Sequence, residues 1–400
     1  MILRPSIRIV ISLLCLMSSQ AYAEGMVELQ PYVRAGVLYD DNLFRFASKK
    51  EAEAAGFSSQ SDRVNTLDAG AQLNLRISRQ LVRVNAGIND NQYNRYDFLD
   101  NTGKSYGITW DWRLGNDVYG DLSTSHSQSI AGFNDNDIIV RNLRTFKRQR
   151  ASINWNVLST WTLYGVADYT DFENEEAIFQ PLDREDDSYE VGTRFQTTSG
   201  TQIGLFYRNL KSDFINRVGT SALIFGRENE QDQYGLNLAW LPTLKTRFTG
   251  QISTIRFTRE NALQNNFNGL NQRWNLDYAL SGKTSLGLTA YRELTSVDDL
   301  LSTYVLFKGA GANANWNATS KLNFNASYGV GKREFLGGSS VFSVPVERED
   351  NTKRLGLNMA YSPTEHASLQ LRYVNEDRVS NISSFEYQFQ SINLIGQYSF

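Results

Sequence analysis

The sequence predicts an all-β fold, a transmembrane antiparallel up-and-down outer-membrane β-barrel of about 18 strands. Three observations lead to this prediction. Apolar and polar residues alternate in segments of about 10 residues along the whole chain, short turns alternate with long polar loops, and the chain begins with a secretory signal. Strands in soluble proteins are usually shorter, about 5–6 residues, so the segment length favours a barrel.

The last ten residues show the alternation most clearly. Because side chains of a strand point alternately to its two faces, one face here is apolar, carrying Ile392, Leu394, Gly396, Tyr398 and Phe400. Outer-membrane barrels resemble this stretch, since their closing strand ends in Phe. We expect residues 392–400 to close the barrel against residues 29–39, and we expect the barrel-assembly machinery to recognise Tyr398 and Phe400. An edge strand of a soluble sandwich is the alternative.

The same pattern recurs through the rest of the chain. It runs through residues 67–77, 82–88, 106–114, 151–157, 189–195, 203–207, 234–240, 274–280, 322–330 and 355–361. Tight turns are predicted near 79–80, 115–116, 159–160, 199–200, 242–243, 282–283, 319–320 and 363–364. Longer loops are predicted at 40–62, 97–104, 126–145, 170–187, 210–231, 257–270, 294–303, 333–351 and 375–386. This rhythm needs about 18 strands with both termini on the turn side, whereas a propeller would need four short strands per repeat.

The amino terminus predicts export and defines the domains. Arg4 and Arg8 precede a short apolar run, and Ala21 and Ala23 form a cleavage site, so residues 1–23 are expected to be a signal peptide and 24–400 a single barrel domain. The only cysteine, Cys15, lies within the signal, which excludes a disulfide-stapled domain. Cleavage removes two of 40 Lys and Arg and none of 43 Asp and Glu. The resulting acidic balance argues against a nucleic-acid partner.

Aromatic residues and prolines support the same fold. The chain has 20 Tyr, 22 Phe and 7 Trp against only 6 Pro, a composition typical of β-structure. Tryptophan prefers the membrane interface, and six tryptophans lie close to predicted periplasmic turns, which predicts one aromatic girdle made of Trp110, Trp112, Trp155, Trp161, Trp240 and Trp316. Prolines are expected at a strand start, in turns and in loops, where none interrupts a ladder.

Residues suited to catalysis or metal binding are few, and we expect no enzyme, no cofactor and no metal. His126, flanked by two serines, is the only support for an outer-membrane hydrolase, and His366 falls in a turn. No G-x-S-x-G or H-E-x-x-H motif occurs. The acidic runs 134–137 and 183–187 offer oxygen ligands for calcium, although both lack the pattern of a helix–loop–helix calcium site and fit solvated loop tips.

The wet face of the predicted strands is rich in arginine. Eight arginines are expected to line the lumen: Arg34, Arg76, Arg83, Arg113, Arg194, Arg273, Arg354 and Arg372. Asp68, Asp111, Asp121, Glu190 and Asp277 lie among them, as do Tyr93, Tyr119 and Tyr291. The arginine excess favours a water-filled path for an anionic solute. Alternatively, the opposite charges pair and plug the lumen.

Three stretches of the first half resemble a known family. These are Tyr39-Asp40-Asp41-Asn42-Leu43-Phe44-Arg45, Ser61-Asp62-Arg63-Val64 and Asn94-Arg95-Tyr96-Asp97-Phe98-Leu99-Asp100. Together they resemble the EpsL family of outer-membrane proteins, encoded with exopolysaccharide operons, within a wider group of β-barrel porins. The resemblance is clearest over about the first 160 residues. It implies a role in exopolysaccharide biosynthesis or export, with a polysaccharide substrate and export components as partners, and it identifies no site residue.

Three functions therefore stay open. The first is exopolysaccharide export across the outer membrane of a Gram-negative bacterium, the second is a general or anion-preferring diffusion porin, and the third is a barrel hydrolase that uses His126. Each would place the barrel in outer-membrane lipid after assembly. Only the first depends on the resemblance, since composition and periodicity predict no more than a barrel.

Overall fold

The structure is a computed structural model that describes residues 26–135, 138–219, 222, 226–259, 266–295, 304–336 and 348–400. The predicted signal peptide, 1–23, lies outside these residues, as do Asn136, Asp137, Pro345 and parts of the loops predicted at 210–231, 257–270, 294–303 and 333–351. The strands are β1 Val27–Asp40, β2 Asp62–Ile77, β3 Gln80–Tyr93, β4 Asn101–Leu114, β5 Val118–Ile130, β6 Leu143–Leu158, β7 Trp161–Asn174, β8 Arg184–Gln196, β9 Gln202–Asp213, β10 Glu228–Thr243, β11 Thr246–Arg259, β12 Phe267–Ala279, β13 Thr284–Thr295, β14 Tyr304–Asn317, β15 Leu322–Leu336, β16 Glu349–Tyr361, β17 Ala367–Ser380 and β18 Tyr387–Ser399.

These strands form one closed 18-stranded antiparallel barrel, which confirms the predicted fold class and strand number. Each strand pairs with its neighbours in sequence, and β1 pairs with both β2 and β18. At the seam, Tyr32 lies opposite Ser399 and Asp40 lies opposite Ser391, so the closing strand pairs as predicted. Every described strand pairs on both sides, so none of them forms an open edge, as a membrane-spanning sheet requires.

The strands are longer than predicted, at 12 to 16 residues. At the loop ends of the strands, polar residues lie on both faces. The alternation of apolar and polar residues is therefore visible only toward the turn ends. Glu185, Asp186 and Asp187, predicted to lie in a loop, therefore belong to β8. The turn predicted at 242–243 lies instead at Leu244 and Lys245, because an irregularity in the pairing after Trp240 accommodates Pro242 within β10. Proline lacks the N–H that a regular ladder needs, so it is tolerated at such a bulge.

The outer face of the barrel is an exposed apolar belt. Five of the predicted girdle tryptophans, Trp110, Trp155, Trp161, Trp240 and Trp316, are 42 to 51 % exposed and lie near the hairpin turns, which confirms the girdle. Ile108, Leu205, Leu288, Leu357 and Leu394 continue the belt above them. A soluble protein rarely exposes so large an apolar surface, so this belt fits a lipid bilayer. Within the described residues, no helix is both long and apolar enough to span a membrane.

A small apolar core lies at the loop end of the barrel. Loop 1 (41–61), loop 2 (94–100) and loop 3 (131–142) build it, and its buried members are Phe44, Phe46, Ala52, Tyr96 and Leu99. Loop 1 contains the short helix α1, Lys49–Ala54, whose first turn is capped by Ser48. Phe133 of loop 3 packs edge-on against Phe44, with ring centroids 5.0 Å apart. The three loops therefore fold as one packed unit at the end of the barrel opposite the tryptophan girdle.

Candidate functional site

The barrel interior is the candidate site, and strand register determines which side chains reach it. Residues opposite each other in an antiparallel ladder point to the same face. Arg34 lies opposite Gln397 and Asp68 at the two sides of β1, and the apolar belt lies on the other face. Continuing this register around the barrel places all the predicted arginines on the interior face: Arg34, Arg76, Arg83, Arg113, Arg194, Arg273, Arg354 and Arg372.

Three of these arginines are paired with interior carboxylates. Arg83 contacts Asp111 at 2.6 Å, Arg273 contacts Glu293 at 2.5 Å, and Arg354 contacts Glu376 at 2.5 Å. For these three, the side chains form the opposed pairs that the sequence left as an alternative.

Three of the other predicted arginines, Arg34, Arg113 and Arg194, contact neutral groups. Arg34 donates to Oε1 of Gln397 at 2.9 Å, and the guanidinium groups of Arg113 and Arg194 lie over tyrosine rings at 5.4 and 5.3 Å. Within the described part of the chain, Arg76, Arg113, Arg194 and Arg372 form no salt bridge. Their charges are therefore free to act on a solute in the lumen.

Loop 3 reaches across the barrel mouth to the far wall. Asp135, at its tip, meets arginines on β15, just before β16 and on β17, whereas the loop itself leaves from β5. Around the barrel, β4, β3, β2, β1 and β18 separate β5 from β17. We call the contact of Asp135 with Arg333, Arg348 and Arg378 the loop 3 latch.

The latch is a dense network of charge-assisted hydrogen bonds. Arg333 donates to both carboxylate oxygens of Asp135, at 2.8 and 3.1 Å, while Arg348 and Arg378 reach Oδ1 at 3.2 and 3.1 Å. Asp350, which is fully buried, accepts from Arg333 at 2.7 Å and from Arg348 at 2.8 Å. Such bonds are about twice as strong as neutral ones, and two carboxylates here share three guanidinium groups.

Aromatic rings and the local field hold the latch together. Arg348 lies 3.4 Å from the ring centroid of Phe385 and 4.1 Å from that of Phe335, and Arg378 lies 4.4 Å from that of Tyr387. Burial raises the pKa of the Asp135 carboxyl, but the three arginines outweigh burial and hold the pKa at about 2. Asp135 is therefore ionised at neutral pH, and the latch is fully charged.

Arg45 ties loop 1 to the latch region. It forms an ion pair with Asp40 at 2.9 Å, donates to Oδ1 of Asn134 at 3.1 Å, and lies 3.6 Å from the ring centroid of Phe389. Its φ of 63° is in the left-handed region, which costs a non-glycine residue free energy and is accepted where contacts fix the backbone. Loop 1 is thereby joined both to loop 3 and to the closing strand.

The residues behind the resemblance have structural roles in this loop unit. Asn42 accepts from the N–H of Phe46 and donates to the carbonyls of Phe46 and Gln388. Asp62 accepts from the N–H groups of Arg95 and Tyr96 at 3.0 and 3.1 Å. Buried polar side chains of this kind replace the ladder that the loop backbones lack.

Asp135 and Asp183, one from each predicted acidic run, do not lie at solvated loop tips. Asp135 lies in the latch, and Asp183 is buried and accepts from the N–H of Asn174 at 2.7 Å and from Nδ2 of Asn216 at 2.8 Å. Among residues with described positions, no cluster of His, Cys, Asp or Glu could hold a metal ion. The sequence does not predict the latch, because the residues around Asp135 do not indicate a partner for its carboxylate. Arginines at the loop ends of neighbouring strands are the feature from which a carboxylate partner could have been expected.

One histidine lies where the sequence predicts it, and the other does not. His126 lies within β5, and its ring stacks on outward-facing Tyr106 with centroids 4.6 Å apart and an interplanar angle of 6°. Ser125 and Ser127 fall on the opposite, interior face, so they cannot act with His126. His366 lies in a turn, as predicted, with Nδ1 3.0 Å from the carbonyl of Ser399. The hydrolase hypothesis thus loses the serine–histidine pair that motivated it.

Comparisons with known proteins match the fold alone. Neither a protein-family model nor a curated protein sequence matches this chain. The structure is similar to that of Acinetobacter baumannii OccAB3, with 10 % identity, a TM-score of 0.52, and coverage of 94 % of this chain and 99 % of that one. Pseudomonas aeruginosa OccK2 (OpdF) in complex with glucuronate has 11 % identity and a TM-score of 0.52, covering 95 % and 99 %. Pseudomonas aeruginosa OpdQ has 12 % identity and a TM-score of 0.51, covering 94 % and 98 %.

Proposed function

We propose that this chain is an outer-membrane diffusion porin for small hydrophilic solutes, and not an enzyme. The observation that carries the proposal is the polar interior face, which continues around every strand of a closed barrel whose outer face is apolar. An interior of this kind holds water, and a loop that reaches across it sets the width of the path. The shared fold with OccK2, solved in complex with the small solute glucuronate, supports the same reading.

The path should prefer anions. Arg76, Arg113 and Arg194 lie within two residues of the turn ends of β2, β4 and β8, and in the described chain none of them has a salt bridge. Charges that line a low-dielectric opening raise the local concentration of the opposite ion. An anionic solute would therefore be favoured at the periplasmic mouth.

We expect the triple variant Arg76→Ala, Arg113→Ala, Arg194→Ala to lose most of this preference. In planar bilayers under a KCl gradient, the wild-type reversal potential should report anion selectivity, and the variant should shift toward zero because three interior charges are gone. The control removes the same charge from the outer face, through Arg256→Ala, Arg292→Ala and Lys353→Ala. A wild-type protein without steady conductance would contradict the porin proposal. A wild-type reversal potential in the triple variant would contradict the role of these arginines and leave the porin proposal standing.

A second candidate is exopolysaccharide export, which the resemblance to the EpsL family implies. The observation favouring it is that the resembling stretches meet in one unit, where Phe44 and Tyr96 pack with centroids 4.8 Å apart and Asp62 bonds to the backbone of Tyr96. Because these three stretches stabilise one another in the folded loops, their joint occurrence has a structural reason and supports the resemblance. This candidate requires polysaccharide and export components as partners in the outer membrane.

Deleting the gene tests the export candidate. Secreted polymer should fall severalfold while uptake of small solutes stays unchanged, and a plasmid copy of the wild-type gene should restore the polymer. Unaltered polymer together with reduced solute uptake would contradict export and favour the porin.

A further inference from the structure

We infer that the interior wall formed by β8 to β13 carries a binding recess for a neutral saccharide. The recess has a volume of about 330 Å³, at the small end of the range for small-molecule sites. It lies on the interior face, with Gln231, Gln233 and Gln251 on its wall and Phe214 and Phe257 beside them. The inference rests on the proposed function and adds to it a class of solute.

An unsatisfied acceptor inside the recess points to a ligand. Asn229 is only 6 % exposed, lines the recess, and its Oδ1 has no hydrogen-bond partner. Asp186, which also lines the recess, leaves its Oδ1 buried and unpartnered. Buried acceptors are nearly always paired, because an unpaired one has given up its hydrogen bonds to water without replacing them. A solute that donates hydrogen bonds would satisfy both oxygens.

The charges of the recess favour a neutral solute. Its two arginines are neutralised, since Arg273 pairs with Glu293 at 2.5 Å and Arg208 pairs with Glu190 at 2.5 Å. Asp186 pairs with Arg184 at 3.0 Å. Compensated cations offer little net attraction to a free carboxylate, whereas they still present hydrogen-bonding groups to a neutral solute.

The remaining lining groups match the hydroxyl-rich rim and apolar faces of a sugar ring. Amide side chains both donate and accept, as hydroxyl groups do, and Ser253 and Gln233 supply further polar groups from buried positions. Leu294 and Phe257, 8 % and 7 % exposed, form an apolar surface within the same recess. A site of this composition positions a ligand through a few polar groups placed in an apolar frame.

Maltose is the probe, with glucuronate as its anionic counterpart. In planar bilayers, maltose should reduce the ion current in a saturable way, and Asn229→Leu should raise the half-saturating concentration at least about tenfold, because the amide that receives a hydroxyl is lost. Asn358→Leu is the matched control, since Asn358 lies on the interior face of β16, outside the recess. Maltose block equal in wild type and Asn229→Leu would overturn the site, and saturable block by glucuronate alone would overturn the neutral class.

Equilibrium dialysis of labelled maltose against the purified barrel in detergent separates this inference from the porin proposal. Saturable binding that Asn229→Leu weakens supports the recess even if the bilayer shows no conductance. Absence of saturable binding in a protein that does conduct would overturn the recess and leave the porin proposal standing.

Discussion

Replacing Asp135 with alanine is expected to open the barrel. Each channel should show a larger conductance, because loop 3 loses its anchor on the far wall and moves away from the lumen. Arg333, Arg348 and Arg378 would then surround the single carboxylate of Asp350, and removing one partner of a buried charge network typically costs about 3–5 kcal/mol. A cost of that size raises the ratio of released to latched loop about 100-fold or more.

Single-channel recording measures the conductance of the variant, and gel migration shows whether its barrel is folded. The ladder bonds do not involve loop 3, so the variant should keep the heat-modifiable gel migration of a folded barrel. Asp97→Ala removes an equal charge at an exposed position of loop 2 and is the matched control. Conductance equal to wild type in Asp135→Ala, with a folded barrel, would show that the hydrophobic contacts of loop 3 hold it without the latch.

Acid should release the same latch, and the sign follows from the pKa of Asp135. In the latched state this pKa is about 2, and in a released loop it returns toward 3.8. The lower pKa means that the latched state is favoured above about pH 4, by about 2 kcal/mol, and that the advantage disappears as pH falls toward 2. Wild-type conductance should rise over that window. Asp135→Asn, which does not titrate there, should lack this rise.

The sequence predicted the barrel correctly because a transmembrane strand repeats one simple pattern. Leu394 and Asn393 point to lipid and lumen for the same reason that Leu205 and Gly204 do, and turns follow at regular intervals. Trp155 and Trp316 could be assigned to a girdle because position near a turn determines depth in the membrane. Local sequence was sufficient for each of these features.

The latch could not be predicted in this way. Asp135 and Arg333 are far apart in sequence, and their contact depends on the path of a loop whose backbone follows no ladder. The acidic run around Asp135 is typical of a solvated loop tip, and only the closed ring of strands brings it to three arginines. The recess was missed for a related reason, since Asn229 and Asp186 are ordinary strand residues until neighbouring strands enclose them.

Phe400 contributes little to the stability of the seam between β1 and β18, so a structural role of this residue can be distinguished from a role in assembly. Phe400 donates its N–H to the carbonyl of Pro31 at 2.9 Å, and its ring lies 5.1 Å from that of Tyr398, edge-on. The β1–β18 ladder already joins Tyr32–Asp40 to β18, so removing one further hydrogen bond costs only about 1 kcal/mol. Loss of Phe400 should therefore affect the stability of the folded barrel far less than it affects recognition of the chain by the assembly machinery.

Deleting Phe400 is thus expected to lower the amount of folded barrel in the outer membrane about tenfold, while refolding of the purified chain into detergent stays close to wild type. Heat-modifiable migration on gels measures both yields, and Phe400→Trp is the control because it keeps an aromatic end. Equal loss in cells and in detergent would mean that Phe400 acts through seam stability. Normal yields in both would mean that Tyr398 and the strand pattern suffice for assembly. Loss in cells alone would identify the terminal ring as the feature that the assembly machinery binds.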